Sequence, residues 1–550
     1  MHHNIKHKEL IVIVKKIKKY ILDFMPKIII ILSSVLLFVL TIGSILFSSF
    51  SKNNLFYDSI NIMNIVLVLL ITVLLLLYIY IGLNFFKKYK VKLKSVQKWS
   101  LIVIAFILGV VLLIYSQVPL AYDQNALFTW PFSFDYWSRF DYMIPMGLFG
   151  GVLIKLFGTT GGVLAFRIIN ALLMLLAFWS LGKITHKFFK NSDITKVYYL
   201  IAPLCVQFIF NVGWAYGNVP SISIMIFAFY LTIIFFETKK WQYGLLVVLL
   251  SFLALAFKLQ AQVFMIAIII VALINSVKIK KSMSMVVFAF SLMGIMLITL
   301  PFFRFIANSM QDEYTMRPFV ASINIAQGID AYTTQDKIAY NNLSIDNNLN
   351  LTPTRDLIGQ WSYIIDGHTM TGLRDNVKAK EMSETRIKFR IDEFINNPKE
   401  ASRFFLRKSL YGWATPDFES ITTWGVGEYY GGAYANESIK PLAFTILQPG
   451  HKTYKRLLTV TDGYESLIYL SSLVGAMYVF RRKIFKEQPL ILVIPLILLG
   501  QFALSLVTES GGRFNFYAFI ILLPYSAVGI YWIIHKFEEL RKKILSSKKV

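Results

Sequence analysis

A chain of 550 residues that is 56% hydrophobic is not an ordinary soluble domain, because too much apolar surface would stay wet. The formal net charge of +25 does not call for nucleic acid, since the cations stand in short blocks between apolar stretches, as the cytoplasmic loops of a membrane protein hold them. One cysteine, Cys205, inside an apolar run, excludes a disulfide framework and a Cys-based metal site.

His2, His3 and His7 belong to a Lys-rich start that reads as a solvated tail. The apolar stretch from about Ile28 to Phe50 is too long for a signal peptide and no small-residue cleavage pattern follows it, so it reads as a retained first span. Windows of roughly 20 apolar residues predict spans near 27–50, 60–85, 101–120, 162–182, 197–213, 220–236, 242–257, 262–277, 284–303, 457–480, 488–508 and 514–534. With both termini cytoplasmic, the basic blocks Lys87 to Lys98, Lys183 to Lys196, Lys239 with Lys240, Lys278 to Lys281 and Arg481 to Lys486 all fall on one side. The stretch 142–158 is apolar but punctuated by Pro145, Gly147, Gly150 and Gly151. A full crossing there would put Lys183 to Lys196 outside, so it is expected to be re-entrant or interfacial.

Two regions are left outside, 118–161 and 304–456. The second holds 18 Lys and Arg against 17 Asp and Glu, a net charge of +1 that leaves +24 to the rest of the chain. The expected organisation is therefore a tail with two accessory spans (1–100), a transmembrane core with a first outer loop (101–303), an extracytoplasmic mixed or helical domain (304–456), and C-terminal spans with a basic tail (457–550). Within the outer domain, Glu381 to Ile395 has helical periodicity; a second helix is expected to open with Asn397 as cap, Pro398 in its first turn and Glu400 in the capping-box place. Its face of Phe404, Phe405 and Leu410, flanked by Arg403, Arg407 and Lys408, suits a membrane surface. "WGVGEYYGGAY" (424–434) and "GTTGG" (158–162) read as loop and turn. No internal repeat, Gly-rich phosphate loop, zinc spacing or nucleophile elbow is visible.

Candidate chemistry begins just beyond the third span. Asp123 stands where the chain leaves the lipid, placed either to accept a proton from a hydroxyl or hold a divalent cation, or simply to end a helix as a solvated acid. Asp141 precedes the 142–158 stretch and is a second candidate for the same cavity, whereas Asp135 reads as ordinary loop polarity. Trp130 and Trp137 read as interface anchors. Lys258, Arg304, Arg317 and Arg513 all stand at the outer ends of spans, the wrong side by the charge rule, so each needs a partner. A lipid-linked phosphate would supply one; acids of the large loop or lipid headgroups are the alternative.

In order along the chain, "VPLAYDQNALF", "DYMIPMGLFGGVLIKLFGTTGGVLAFRIIN", "LAFKLQAQ", "INIAQGID", "INNPKEASRFFLRKSLYGWATPDF" and "ESGGRFNFYAFIILLPYS" resemble the GT-C superfamily of integral-membrane glycosyltransferases. The resemblance is to bacterial members similar to protein mannosyltransferases and aminoarabinose transferases, from about residue 115 onward. It implies an all-α polytopic fold, a GT-C-like bundle of about 12 transmembrane helices. It also implies a polyprenyl-phosphate sugar as donor, transfer at the outer face of a bacterial plasma membrane, and an envelope polymer or glycolipid as acceptor. Asp123, with Asp141 as second candidate, would be the catalytic acid of the first outer loop, alone or with Mg2+ or Mn2+. Lys258 and Arg513 match the cations that hold the donor phosphate. The sequence departs from the family at Gln124, where mannosyltransferases have a second acid, at Leu259 after Lys258, and at Phe514 after Arg513. The rivals are a transporter or flippase of a lipid-linked saccharide and a non-catalytic envelope scaffold.

Overall fold

The computed structural model describes residues 22–47, 62–116, 118, 120, 124, 127, 128, 141–276, 283–309, 321–329, 364, 365, 368, 369, 376–421 and 451–547. The chain is an all-α polytopic membrane protein. Its principal helices are α1 (Met25–Leu46), α2 (Ile62–Lys88), α3 (Leu93–Tyr115), α4 (Ile144–Phe189), α5 (Ser192–Ile201), α6 (Asn218–Thr238), α7 (Trp241–Phe257), α8 (Ala261–Ser276) and α9 (Met283–Ser309). They continue with α10 (Ala321–Ile329), α11 (Asn376–Asn396), α12 (Pro398–Trp413), α13 (Lys452–Arg482), α14 (Val493–Val507), α15 (Gly512–Ile520) and α16 (Leu523–Ser547). Among the described residues, strand is confined to one two-residue antiparallel ladder, Ile364–Ile365 against His368–Thr369.

Among the described residues, seven helices are long and apolar enough to cross a bilayer, and up to nine if the two bent pairs, 192–213 and 512–547, each count as one span. The three remaining apolar windows fall on α7, α8 and α13. At 17 and 16 residues α7 and α8 are short of a hydrocarbon core of about 30 Å, and α13 carries Asp462 and Glu465 in mid-course.

The stretch 142–158 is not broken at its proline and inner glycines. Pro145 sits in the first turn of α4, where a missing N–H costs nothing. Gly150 packs against a loop, since a Cβ there would lie 2.8 Å from the Leu127 carbonyl oxygen. The helix breaks instead at Gly158, with φ 71° and ψ 172°, a conformation open in practice to glycine alone.

Small residues set the closest packing. A Cβ on Gly529 of α16 would fall 1.8 Å from the Ser471 carbonyl of α13, and one on Gly475 would fall 2.1 Å from the Tyr525 carbonyl. Ser471 and Ser526 join the same seam through their hydroxyls at 2.6 Å. This is the small-residue contact by which membrane helices approach without a hydrophobic drive. The opposite flank of α13 is covered by α1 and α2, through Ser44 Oγ to Ser466 Oγ at 3.0 Å and Thr72 Oγ1 to the Gly463 carbonyl at 3.2 Å. Ser466→Ala is expected to lower stability by about 0.6 kcal/mol, the mean for such interhelical bonds, read from unfolding in mixed micelles.

Helix α12 begins where the sequence places it, with Pro398 in the first turn, but the Asn397 side chain makes no capping bond and Glu400 pairs with Arg403 at 3.0 Å. Its apolar face does not lie along a surface. Phe404, Leu410 and even Lys408 are buried, because α12 docks on α1, α14 and α15, with Leu410 seated on Gly43 of α1.

Candidate functional site

Arg167 of α4 fixes the ground on which the site stands. Its guanidinium donates to the carbonyls of Gly213 (Nε, 2.9 Å), Tyr115 (Nη1, 2.7 Å) and Val118 (Nη2, 3.2 Å). The end of α3 is thereby tied to the segment leading into α6. Asn170, one turn further along α4, donates to the Trp214 carbonyl at 3.0 Å. Gln124 accepts from the Ala215 N–H at 2.9 Å, so the loop after α3 is pinned one residue from Tyr216.

Tyr216 organises the centre. Its ring stacks on Trp214, with centroids 4.9 Å apart and planes 10° off parallel, and its hydroxyl donates to Met143 Sδ at 3.4 Å. The same hydroxyl accepts from Lys258 Nζ at 2.9 Å. Lys258, directly after α7, also lies with its ammonium 4.2 Å from the centre of that ring, a cation–π contact strengthened by burial. Gly217 makes this approach possible: a Cβ there would sit 2.0 Å from the Phe257 carbonyl oxygen, and any larger residue would push Tyr216 away from Lys258.

Arg513, in the first turn of α15, comes to the same place. Its guanidinium stands 4.7 Å from the centre of the Phe514 ring, and the Lys258 ammonium stands 5.8 Å from that same centre. Asn218, at the start of α6, donates to the Arg513 carbonyl at 3.1 Å. Two buried cations from parts of the chain 255 positions apart thus approach one aromatic ring. Arg513 is balanced by two carboxylates, Glu509 at 2.8 Å and Glu419 at 3.4 Å.

The other expected site residues are placed unevenly. Arg304 is half-buried on α9, next to Phe302 and Phe303, which pack on Phe252 of α7, roughly two turns before Lys258. Asp141 opens the helical turn Asp141–Met143, whose last residue touches Tyr216, but its side chain lies outside the described residues. So do Asp123, Asp135, Trp130, Trp137, Arg317 and 424–434. Among the described residues no group of three or more His, Cys, Asp or Glu side chains is placed to hold a metal.

Sequence reasoning missed Tyr216, Glu419 and Glu509. Glu509 was within reach of it as an acid only four residues before Arg513 in the chain, although 508–511 are not helical. Glu419 carries no local signal, being 94 residues from its partner. No protein-family model, no curated protein and no solved structure matches the chain.

Proposed function

We propose that the chain is a GT-C-type glycosyltransferase that moves a sugar from a polyprenyl phosphate to an envelope polymer or glycolipid at the outer face of a bacterial plasma membrane. In this reading twelve spans leave both termini in the cytoplasm and 304–456 outside. The observation that carries it is the approach of Lys258 and Arg513 to the one ring of Phe514, with Tyr216 on Lys258 and Gln124 bonded to the neighbouring Ala215. Asp123 takes the proton of the acceptor hydroxyl, with Asp141 the alternative base. The freed oxygen attacks the anomeric carbon from the face opposite the phosphate, the bond from that carbon to the phosphate oxygen breaks, and configuration inverts. Lys258 and Arg513, with Arg304 and Arg317 as further contacts, receive the negative charge that gathers on the departing polyprenyl phosphate.

Purified protein incubated with a panel of polyprenyl-phosphate sugars and an envelope acceptor should release polyprenyl phosphate; no release from any donor would overturn the reading. EDTA sensitivity of that release tells direct proton transfer to Asp123 from assistance by Mg2+ or Mn2+. A cysteine introduced at position 350 should react with an impermeant reagent from outside intact cells.

A second reading, a transporter or flippase of lipid-linked saccharide, is favoured by Asp462 and Glu465, both buried on α13. Carboxyls within a membrane helix mark ion or substrate paths in carriers. The release assay separates the two, since a carrier returns the donor uncleaved, while a scaffold neither cleaves nor moves it.

A further inference from the structure

The turn after α12 holds two successive residues in the left-handed region, Phe418 at φ 48° and Glu419 at φ 61°. For residues with a Cβ this conformation costs roughly 1–2 kcal/mol each, so something must hold it. Asp417 does so locally, accepting from the Glu419 N–H at 3.1 Å and the Ile421 N–H at 2.9 Å. The outcome of the turn is the position of one carboxylate. Glu419 Oε1 accepts from the Gly512 N–H at 3.0 Å, at the amino end of α15, and Oε2 stands 3.4 Å from Arg513 Nη1. Gly512 admits the turn, because a Cβ there would meet the Phe418 Cα at 2.9 Å.

Glu419 is buried to 3% exposure, and its two oxygens bridge a helix-terminal N–H and a guanidinium. A phosphate engages the same two donors through a pair of its own oxygens. Arg513 therefore meets an incoming phosphate with an anion already in place. Backbone strain of the kind stored at 418 and 419 clusters where a structure must change state, and release of the turn would return part of it.

We propose that Glu419 is an internal stand-in for the phosphate of the lipid substrate, keeping the Gly512 N–H and the Arg513 guanidinium aligned until a phosphate-bearing lipid displaces it. This rests on the proposed function and adds how the donor site is kept in its empty state. Glu419 is a positioning residue, and the exchange is one carboxylate for one phosphate with no covalent step. Glu509 stays on Arg513 throughout, so the guanidinium keeps one carboxylate and changes the other.

The test is binding of a polyprenyl monophosphate, with the uncharged polyprenol of the same length as control, to full-length protein in detergent. Wild type should prefer the phosphate, and Glu419→Gln, which keeps the shape but removes the charge, should bind the phosphate about tenfold more tightly with polyprenol binding unchanged. Glu419→Asp, one methylene shorter and still charged, should fall between them and serves should the glutamine variant fold poorly. Loss of a purely structural contact lowers affinity, whereas removal of a competitor raises it. Equal or weaker phosphate binding by both folded variants overturns the stand-in while leaving the donor site intact. Failure of wild type and both variants alike to prefer phosphate over alcohol overturns the donor-site reading itself.

Discussion

Asp123→Asn, at unchanged protein level, is expected to lower sugar transfer by about 10²–10⁴-fold, the range lost with a positioned general base. Lys258→Met should lower it by about 10²–10³-fold, as removal of one donor to a developing oxyanion does. Both follow from when charge appears. In the ground state the donor phosphate is already anionic, but the oxygen bound to the sugar gains charge only as its bond to carbon breaks. A cation held against that oxygen therefore acts more on the transition state than on the bound donor. The Lys258 ammonium is positioned by the Tyr216 hydroxyl at 2.9 Å and by two aromatic rings. The loss in Lys258→Met should accordingly fall on kcat, with KM moving less. A variant in which KM rises and kcat holds would reduce Lys258 to donor binding. Tyr216→Phe keeps the ring and removes the hydroxyl; it should cost about ten- to a hundredfold, in keeping with one hydrogen bond to a charged group.

The apolar windows were legible because hydropathy is local: twenty neighbouring residues decide whether a helix tolerates lipid, whatever packs beside it. Lys258 and Arg513 stand out in the sequence for a related reason, as cations at the ends of apolar stretches. What joins them does not. The ring of Phe514 that both approach, the glycine at 217 that lets α6 and α7 touch, and the carboxylate of Glu419 arriving from 94 residues away depend on how distant segments pack. Arg167 shows the limit from another side. Its position marks it as a buried cation, and only the three carbonyls around it identify it as the tie between α3 and the segment before α6. Gly150 reads in the sequence only as punctuation of an apolar stretch, whereas in the helix it lets the Leu127 carbonyl approach.

Lys408 inverts its sequence expectation most fully, and Lys408→Met is expected to lower stability by about 3 kcal/mol. On the polar side of an amphipathic pattern it belongs in water, yet it is wholly buried. Its ammonium donates to the carbonyls of Leu506 at 2.9 Å, Thr508 at 2.7 Å and Gly328. Leu506 and Thr508 lie at the carboxyl end of α14 and Gly328 in the last turn of α10, where carbonyls have no later helical N–H to accept from and a cation is favoured. A methionine fills the space and leaves three acceptors dry, each costing about 1–3 kcal/mol, offset in part because no cation is then desolvated. Burial pushes the Lys408 pKa down to about 7 from the usual 10.5, against the opposing pull of Glu509. Between those two pH values the unfolded chain binds the proton that the folded chain has released, so the stability of wild type rises with pH, by up to about 1.4 kcal/mol per unit. Lys408→Met lacks that slope. Unfolding of both proteins in detergent from pH 6 to pH 10 should therefore show parallel curves below pH 7 and a gap that widens above it; a constant gap across the range would mean that Lys408 keeps its proton and acts as a fixed cationic cap.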